Sequence, residues 1–167
     1  EALRLLQQPA KRVLPLAGGQ SLVPQLRRDI PSPLADEVDA VVDLAALGLR
    51  YVELRIDATG QWLRLGATTT LTDITEDRLC RALAGGILAQ AAQAAAPVNV
   101  RNVATVGGAI ASSRATPPGM PSQFVLALLA LAAHVVIDDG QRRVLPLPRV
   151  LADPAHAIGR GIIVELQ

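Results

Sequence analysis

Residues 101–109, Arg-Asn-Val-Ala-Thr-Val-Gly-Gly-Ala, and residues 17–22, Ala-Gly-Gly-Gln-Ser-Leu, decide how this sequence is interpreted. Each stretch has a strand-like apolar lead-in that runs into a Gly-Gly pair beside hydroxyl side chains. Adjacent glycines can adopt positive φ and allow close approach, because they have no Cβ. Successive backbone N–H groups can then converge on an anion. The pattern predicts two backbone cups for the two phosphates of a nucleotide, with Thr105 and Ser21 as hydroxyl donors at their rims.

Two ordinary turns are the alternative interpretation, which a single Gly-Gly pair would favour. With two such pairs in one chain of 167 residues, a diphosphate site and two ordinary turns are about equally good interpretations. A chain of this length can form one substantial domain or two small lobes that share a cleft.

The composition argues against several classes of function. The chain has one Trp, one Tyr and one Phe and a net charge of +1, so a base-stacking or strongly basic nucleic-acid surface is not expected. Cys80 is the only cysteine and the two histidines are far apart, which argues against a disulfide and a metal centre. A Cys–His nucleophile pair stays open as an alternative, although no local signature supports it.

The longest apolar run, residues 124–133, is far too short to span a bilayer, and the start of the chain has no signal-peptide pattern. The sequence is therefore expected to be cytoplasmic, without a membrane span. Because it opens on Glu1 rather than methionine, we expect a fragment or a trimmed chain.

Periodicity predicts a small lobe over residues 1–47. A helix over residues 1–8 precedes a strand over 12–16, a helix capped by Ser21 and closed by the Pro-rich residues 31–33, and a strand over 40–44. This order outlines a βαβ unit.

A second, larger lobe is predicted over residues 48–167. Its expected strands form a hairpin over 51–65, a hairpin over 135–145 around Asp-Asp-Gly, and a single strand over 162–166. Its expected helices are one that starts near Thr70 and Thr72, one over 78–96 that is broken at Gly85 and Gly86, and one over 123–133 that is capped by Ser122. The fold class is α+β, with an antiparallel or mixed sheet in this lobe and a ligand crevice between the two lobes.

Four motifs carry a resemblance to a known family. Leu-Ala-Gly-Gly-Gln-Ser-Leu-Val at 16–23, Gly-Ala-Thr-Thr at 66–69, Val-Arg-Asn-Val-Ala-Thr-Val-Gly-Gly at 100–108 and Leu-Ala-Leu-Leu-Ala-Leu at 126–131 occur in this order. The sequence thus resembles the FAD-binding subunits of molybdenum hydroxylases, the flavoproteins of xanthine dehydrogenase, carbon monoxide dehydrogenase and aldehyde oxidoreductase. The resemblance covers nearly the whole chain, but the family's opening segment and its C-terminal domain are not in the sequence.

The resemblance implies a two-lobed FAD-binding domain with the pyrophosphate held by both glycine loops. It implies no acid–base catalyst and no metal site, and its partners would be a large molybdopterin subunit and a small 2Fe-2S subunit. Electrons would pass from the iron–sulfur clusters through FAD to an acceptor such as NAD, oxygen or a quinone. The implied cofactor-binding residues are Ala17, Gly18, Gly19, Gln20 and Ser21 in the first loop and Thr105, Val106, Gly107, Gly108 and Ala109 in the second.

Two positions depart from the family's pattern. Ala109 stands where Asn or Ser is usual, and Ser122-Gln123 stands where a Ser-Asp pair is usual. These departures leave a second hypothesis, a degenerate flavin-fold domain that acts as a non-catalytic assembly module. An unrelated nucleotide-binding protein is a third hypothesis, but neither a phosphate-binding Gly-Lys loop nor a Gly-x-Gly-x-x-Gly motif is present. Arg101 can pair with phosphate or form a structural salt bridge.

Overall fold

The computed structural model describes residues 1–27, 36–58, 60–114 and 122–167. The Pro-rich stretch 31–33, Thr59 in the predicted first hairpin and residues 115–121 lie outside the described residues. The described chain contains a two-stranded sheet and a five-stranded sheet with helices packed around them. The predicted α+β class is confirmed.

The smaller sheet belongs to the first 47 residues. Its strands β1 (Val13–Leu16) and β2 (Ala40–Asp43) are parallel, with Val13 opposite Ala40. Helix α1 (Ala2–Leu6) precedes β1 and helix α2 (Leu22–Leu26) follows it, as the apolar spacing predicts. A short 3-10 turn, Ala45–Leu47, closes the unit.

The larger sheet is antiparallel throughout. Its strands are β3 (Val52–Asp57), β4 (Gly60–Gly66), β5 (His134–Asp138), β6 (Arg142–Pro146) and β7 (Ile162–Leu166), in the spatial order β3-β4-β7-β5-β6. The last strand therefore lies in the middle, and all five of its residues are buried.

Eight further helices accompany this sheet in the described residues: α3 (Leu71–Glu76), α4 (Arg78–Ala82), α5 (Ile87–Ala95), α6 (Val98–Arg101), α7 (Val106–Ala111), α8 (Gln123–Ala130), α9 (Leu147–Ala152) and α10 (Pro154–Ile158). The predicted cap at Thr70 is present, because its side chain accepts from Asp73 N–H and the Asp73 carboxylate accepts from Thr70 N–H.

Glycines end or interrupt helices where the sequence predicts it. Gly85 and Gly86 have φ of 69° and 78° and separate α4 from α5. Ser122 caps α8, as predicted, with its hydroxyl accepting from Val125 N–H at 3.3 Å. Helix α8 ends at Ala130 rather than at residue 133, and Ala132 turns the chain with φ of 55°.

Two hydrophobic clusters cover the two faces of the large sheet. Val135 and Ile137 of β5 belong to the main core with the helices, whereas Val136 belongs to a smaller cluster. Successive strand residues point to opposite faces, so the clusters lie on opposite sides of the sheet. In the smaller cluster, Leu6 and Leu44 pack against the large sheet. This contact joins the segment that contains the two-stranded sheet to the five-stranded sheet.

A buried carboxylate lies on β7. Glu165 is 4% exposed and accepts hydrogen bonds from Tyr51, Arg64 and Gln167. Burial opposes its ionisation, but the hydrogen bonds from Arg64, Tyr51 and Gln167 outweigh burial and hold the pKa of Glu165 below its ordinary value of 4.5. Desolvation and the same carboxylate raise the pKa of Tyr51 to about 12.

Replacing Glu165 with glutamine is expected to destabilise the fold at neutral pH and to have less effect in acid. A lowered carboxyl pKa adds stability above pH 4.5 that is lost as pH falls through the folded-state pKa. The measurement is the free energy of urea unfolding of both proteins from neutral pH downward. Glu76→Gln, at the exposed end of α3, is the control and should leave the curve unchanged. A pH-independent difference between Glu165→Gln and the wild type would contradict this role of Glu165.

Candidate functional site

The first glycine loop connects β1 to α2. Gly19 has φ of 73°, and its carbonyl accepts from Val23 N–H at 2.9 Å, so the first helical hydrogen bond starts there. The predicted cap at Ser21 is wrong, because Ser21 already has helical angles (φ −93°, ψ −35°) and its side chain makes no cap hydrogen bond. The chain turns at Gly19, two residues before Ser21, because glycine can adopt the required positive φ. The Ser21 hydroxyl makes no hydrogen bond to the described residues.

Four consecutive backbone N–H groups of this loop make no hydrogen bond to any described part of the chain. Among the described residues, nothing accepts a hydrogen bond from the N–H of Gly18, Gly19, Gln20 or Ser21. Gln20 and Ser21 are exposed and the two glycines are half-buried. Unpaired backbone donors of this kind need water or a ligand, and an anion is the strongest acceptor for them.

The second glycine pair lies inside a helix. Its lead-in is the helix α6 and a turn rather than the predicted strand, and both Gly107 and Gly108 belong to α7. The predicted positive φ is wrong for Gly18, Gly107 and Gly108, since Gly19 alone has it among the glycines of the two loops. Thr105 caps α7 and accepts from Gly108 N–H at 3.2 Å. This cap draws the pair into helical geometry.

The N–H groups of the second pair are occupied by the protein itself. Val106 N–H donates to Thr69 O and Gly107 N–H donates to Ala67 O, each at 2.9 Å. Ala109 N–H donates to Thr105 O at 2.9 Å. The second loop therefore does not present the predicted cup of open N–H groups. It presents a glycine surface and the Thr105 side chain.

Close approach, rather than positive φ, explains the glycines at positions 18 and 107. A Cβ on Gly18 would lie 1.7 Å from Val103 O, so the first loop packs directly against the segment that leads into the second. A Cβ on Gly107 would lie 3.0 Å from Ala67 Cβ and 3.1 Å from Ala67 O, which lets α7 pack on the chain just after β4. Gly18 therefore allows the two loops to pack together, and Gly107 allows α7 to pack against Ala67.

A cavity of about 590 Å³ lies where the loops meet. This volume is in the range of small-molecule and cofactor sites. All of the predicted site residues except Val106 line it, and Val106 is fully buried behind them. The cavity wall also includes residues that the sequence did not single out: Ala95 and Ala96 at the end of α5, Val100, Ser112, Ser113, and Ile158, Gly161, Ile162 and Ile163 around the start of β7.

The described residues that line the cavity are uncharged, since none of their side chains is acidic or basic. Ala67 of the Gly-Ala-Thr-Thr motif lines it, as does Ser122, whereas Gln123 is exposed and is not among the described lining residues. Such a cavity can receive the apolar parts of a ligand and can hold an anion through backbone donors.

The described residues give little support to a metal site, a cysteine nucleophile or a membrane-spanning helix. They contain no group of three His, Cys, Asp or Glu side chains that could bind a metal ion. Cys80 is fully buried, and desolvation raises the pKa of its thiol to about 12, so it is not a nucleophile at neutral pH. None of the described helices has the length and apolar character needed to cross a bilayer.

Comparison with known proteins identifies relatives over nearly the whole chain. Residues 1–165 match the family model described as the FAD binding domain in molybdopterin dehydrogenase. The chain is 32% identical over 150 residues to the glyceraldehyde dehydrogenase medium chain of Sulfolobus acidocaldarius, covering 88% of this chain and 48% of that one. It is 33% identical over 148 residues to the carbon monoxide dehydrogenase medium chain of Hydrogenophaga pseudoflava, covering 86% and 46%.

The fold has solved counterparts. The structure of carbon monoxide dehydrogenase from Hydrogenophaga pseudoflava that lacks the Mo-pyranopterin moiety superposes with a TM-score of 0.77 at 27% identity, over 99% of this chain and 54% of that one. Quinoline 2-oxidoreductase from Pseudomonas putida shares the fold, with a TM-score of 0.76 at 21% identity. The chain spans about half the length of the relatives that it matches.

Proposed function

Because the chain belongs to the family of FAD-binding domains of molybdopterin dehydrogenases, we propose that it binds FAD in the cavity between its glycine loops. We further propose that it is the electron-transfer component of a multisubunit molybdenum oxidoreductase. When bound, FAD supplies the redox chemistry, taking electrons from iron–sulfur clusters and passing them to an external acceptor. The protein's own residues bind and orient the cofactor.

The unpaired N–H groups of Gly18, Gly19, Gln20 and Ser21 are the observation that carries this proposal. They would hold the pyrophosphate, and the Ser21 hydroxyl would add a donor. Backbone donors fit the uncharged wall of the cavity, which offers a phosphate no cationic side chain among its described residues. Ala17 continues the same loop along the cavity.

The second loop would form the opposite wall. The Thr105 hydroxyl accepts from Gly108 N–H and donates to none of the described residues, so its proton can be donated to the cofactor. Gly107, Gly108 and Ala109 line the cavity with no side chain beyond Cβ, which leaves room for the cofactor, and Val106 supports them from the core.

The lobes that enclose the cofactor are proposed to be residues 1–47 and 48–167. The two-stranded sheet lies in the first range and all five strands of the larger sheet lie in the second. The proposed partners are a large molybdopterin subunit and a small 2Fe-2S subunit, as expected for a medium chain.

An assembly module that binds no flavin is the second candidate. The occupied N–H groups of Val106, Gly107, Gly108 and Ala109 favour it, because they remove one of the two predicted phosphate cups.

Titration of the purified chain with FAD distinguishes the two functions. Under the proposed function, FAD fluorescence is quenched and the visible absorption bands shift on binding. A chain that stays colourless after gel filtration with excess FAD, and that leaves FAD fluorescence unchanged, would contradict cofactor binding and favour the assembly module.

A further inference from the structure

Arg101 lies behind the cavity wall at the point where α5 ends. Its Nη1 donates to the carbonyls of Gln93 and Ala96, each at 2.9 Å. Ala95 and Ala96 line the cavity. The guanidinium therefore covers the carbonyl end of a helix that terminates at the proposed cofactor site.

The end of α5 is electrostatically unfavourable for a phosphate. The C-terminus of a helix carries a partial negative charge of about half an electron, from carbonyls without intrahelical partners. The described lining residues offer no charged side chain to offset it. Arg101 places a positive charge on these carbonyls, and no carboxylate among the described residues forms an ion pair with it. Its charge is thus available to the cavity.

The hydrogen bonding of Arg101 indicates that its charge matters. Its Nε is buried without a partner, which is costly for a residue that only anchors a turn. A neutral amide side chain could donate to the same carbonyls without burying this extra N–H group.

We propose that Arg101 is a positioning residue that neutralises the C-terminal end of α5 and thereby lets the cavity accept the diphosphate of FAD. The inference rests on the proposed function and adds a cation that does not line the cavity. Arg101 acts through the carbonyls of Gln93 and Ala96.

Two substitutions separate charge from hydrogen bonding. Arg101→Gln keeps a donor for the carbonyls and removes the charge, whereas Arg101→Lys keeps the charge. At low salt, Arg101→Gln is expected to weaken FAD binding roughly tenfold, and Arg101→Lys to stay within about threefold of the wild type. High salt should narrow the gap between Arg101→Gln and the wild type, because it partly screens the charge that the substitution removes.

Arg81→Gln is the matched control. Arg81 Nε also donates to a helix carbonyl, Thr75 O at 2.8 Å in the last turn of α3, but Arg81 is not among the described lining residues. The FAD affinity of the Arg81→Gln variant should equal that of the wild type at both salt levels. Fluorescence titration gives the dissociation constants, and thermal unfolding shows whether each variant is folded.

Three results would overturn the role of Arg101. They are a loss of affinity in Arg101→Gln that is the same at low and high salt, an equal loss in Arg101→Lys, or an Arg101→Gln protein that is unfolded. A wild-type chain that binds no FAD at either salt level would contradict the proposed function itself, and with it the role of Arg101.

Discussion

Replacing Gly18 with valine is expected to abolish FAD binding, with a loss of affinity of at least roughly a hundredfold. A Cβ at this position would lie 1.7 Å from Val103 O and 2.7 Å from Val103 C. Both are backbone atoms, so the first loop would have to move away from the chain that leads into the second loop. The four unpaired N–H groups would then lose their place at the cavity. Fluorescence titration with FAD measures the effect.

Gly85→Asn is the control for this substitution. Gly85 has φ of 69° with open space around the position of a Cβ, and asparagine tolerates such angles better than other residues. The FAD affinity of Gly85→Asn should be unchanged, since Gly85 is not one of the described residues that line the cavity. Wild-type affinity in Gly18→Val would mean that the contact between Gly18 and Val103 does not shape the cofactor site.

Replacing Gly107 with valine is expected to lower the free energy of unfolding by about 1–3 kcal/mol, through overpacking of the core. Gly107 is buried, and a Cβ would already lie 3.0 Å from Ala67 Cβ and 3.1 Å from Ala67 O. The added methyl groups would push α7 away from the chain after β4. Chemical denaturation measures the stability, and FAD titration should show weaker binding, because the second wall moves.

Gly107→Ala distinguishes packing from backbone conformation. In a helix, alanine gains about 1 kcal/mol of propensity over glycine, which offsets a shift of a few tenths of an ångström at Ala67. We therefore expect stability within about 1 kcal/mol of the wild type. A loss in Gly107→Ala as large as that in Gly107→Val would contradict this expectation, because it would mean that Ala67 cannot shift or that residue 107 is not helical.

The two hairpins and the caps at Thr70 and Ser122 were predictable from local pattern, whereas the predicted cap at Ser21 and the predicted strand before the second glycine pair were wrong. Alternation over residues 52–57 and 61–65 identified the first hairpin, and Asp-Asp-Gly at 138–140 identified the second. Thr70 and Ser122 have the side chains that cap helices. These features depend on residues close in sequence, so the sequence is sufficient to locate them.

The conformation of the second glycine pair was not predictable locally. Two adjacent glycines disfavour a helix by about 1 kcal/mol each relative to alanine, so propensity favours a turn at 107–108. Hydrogen bonds from Val106 to Thr69 O and from Gly107 to Ala67 O override this preference, and both acceptors are more than 30 residues away. Tertiary contacts therefore decide the geometry of half of the proposed site.

The part of the cavity wall around the start of β7 and the central place of β7 in the sheet were also not predicted from the sequence. Strand β7 was located, but its place between β4 and β5 depends on pairing with Leu65 and Val135. Ile162 and Ile163 resemble any buried strand residues, and nothing in their local pattern indicates a cavity. Helix α10 had a usable signal in Asp153, which caps it ahead of Pro154.

Proton–nitrogen correlation spectra of the labelled chain, recorded during titration with FAD, test most directly that the first loop supplies the donors for the pyrophosphate. We expect the largest amide shifts at Gly18, Gly19, Gln20 and Ser21, because their N–H groups gain charged acceptors. The amides of Gly107 and Gly108 should shift less, since they already have partners in the protein. Saturation with FAD that leaves the four first-loop amides unshifted would contradict this assignment.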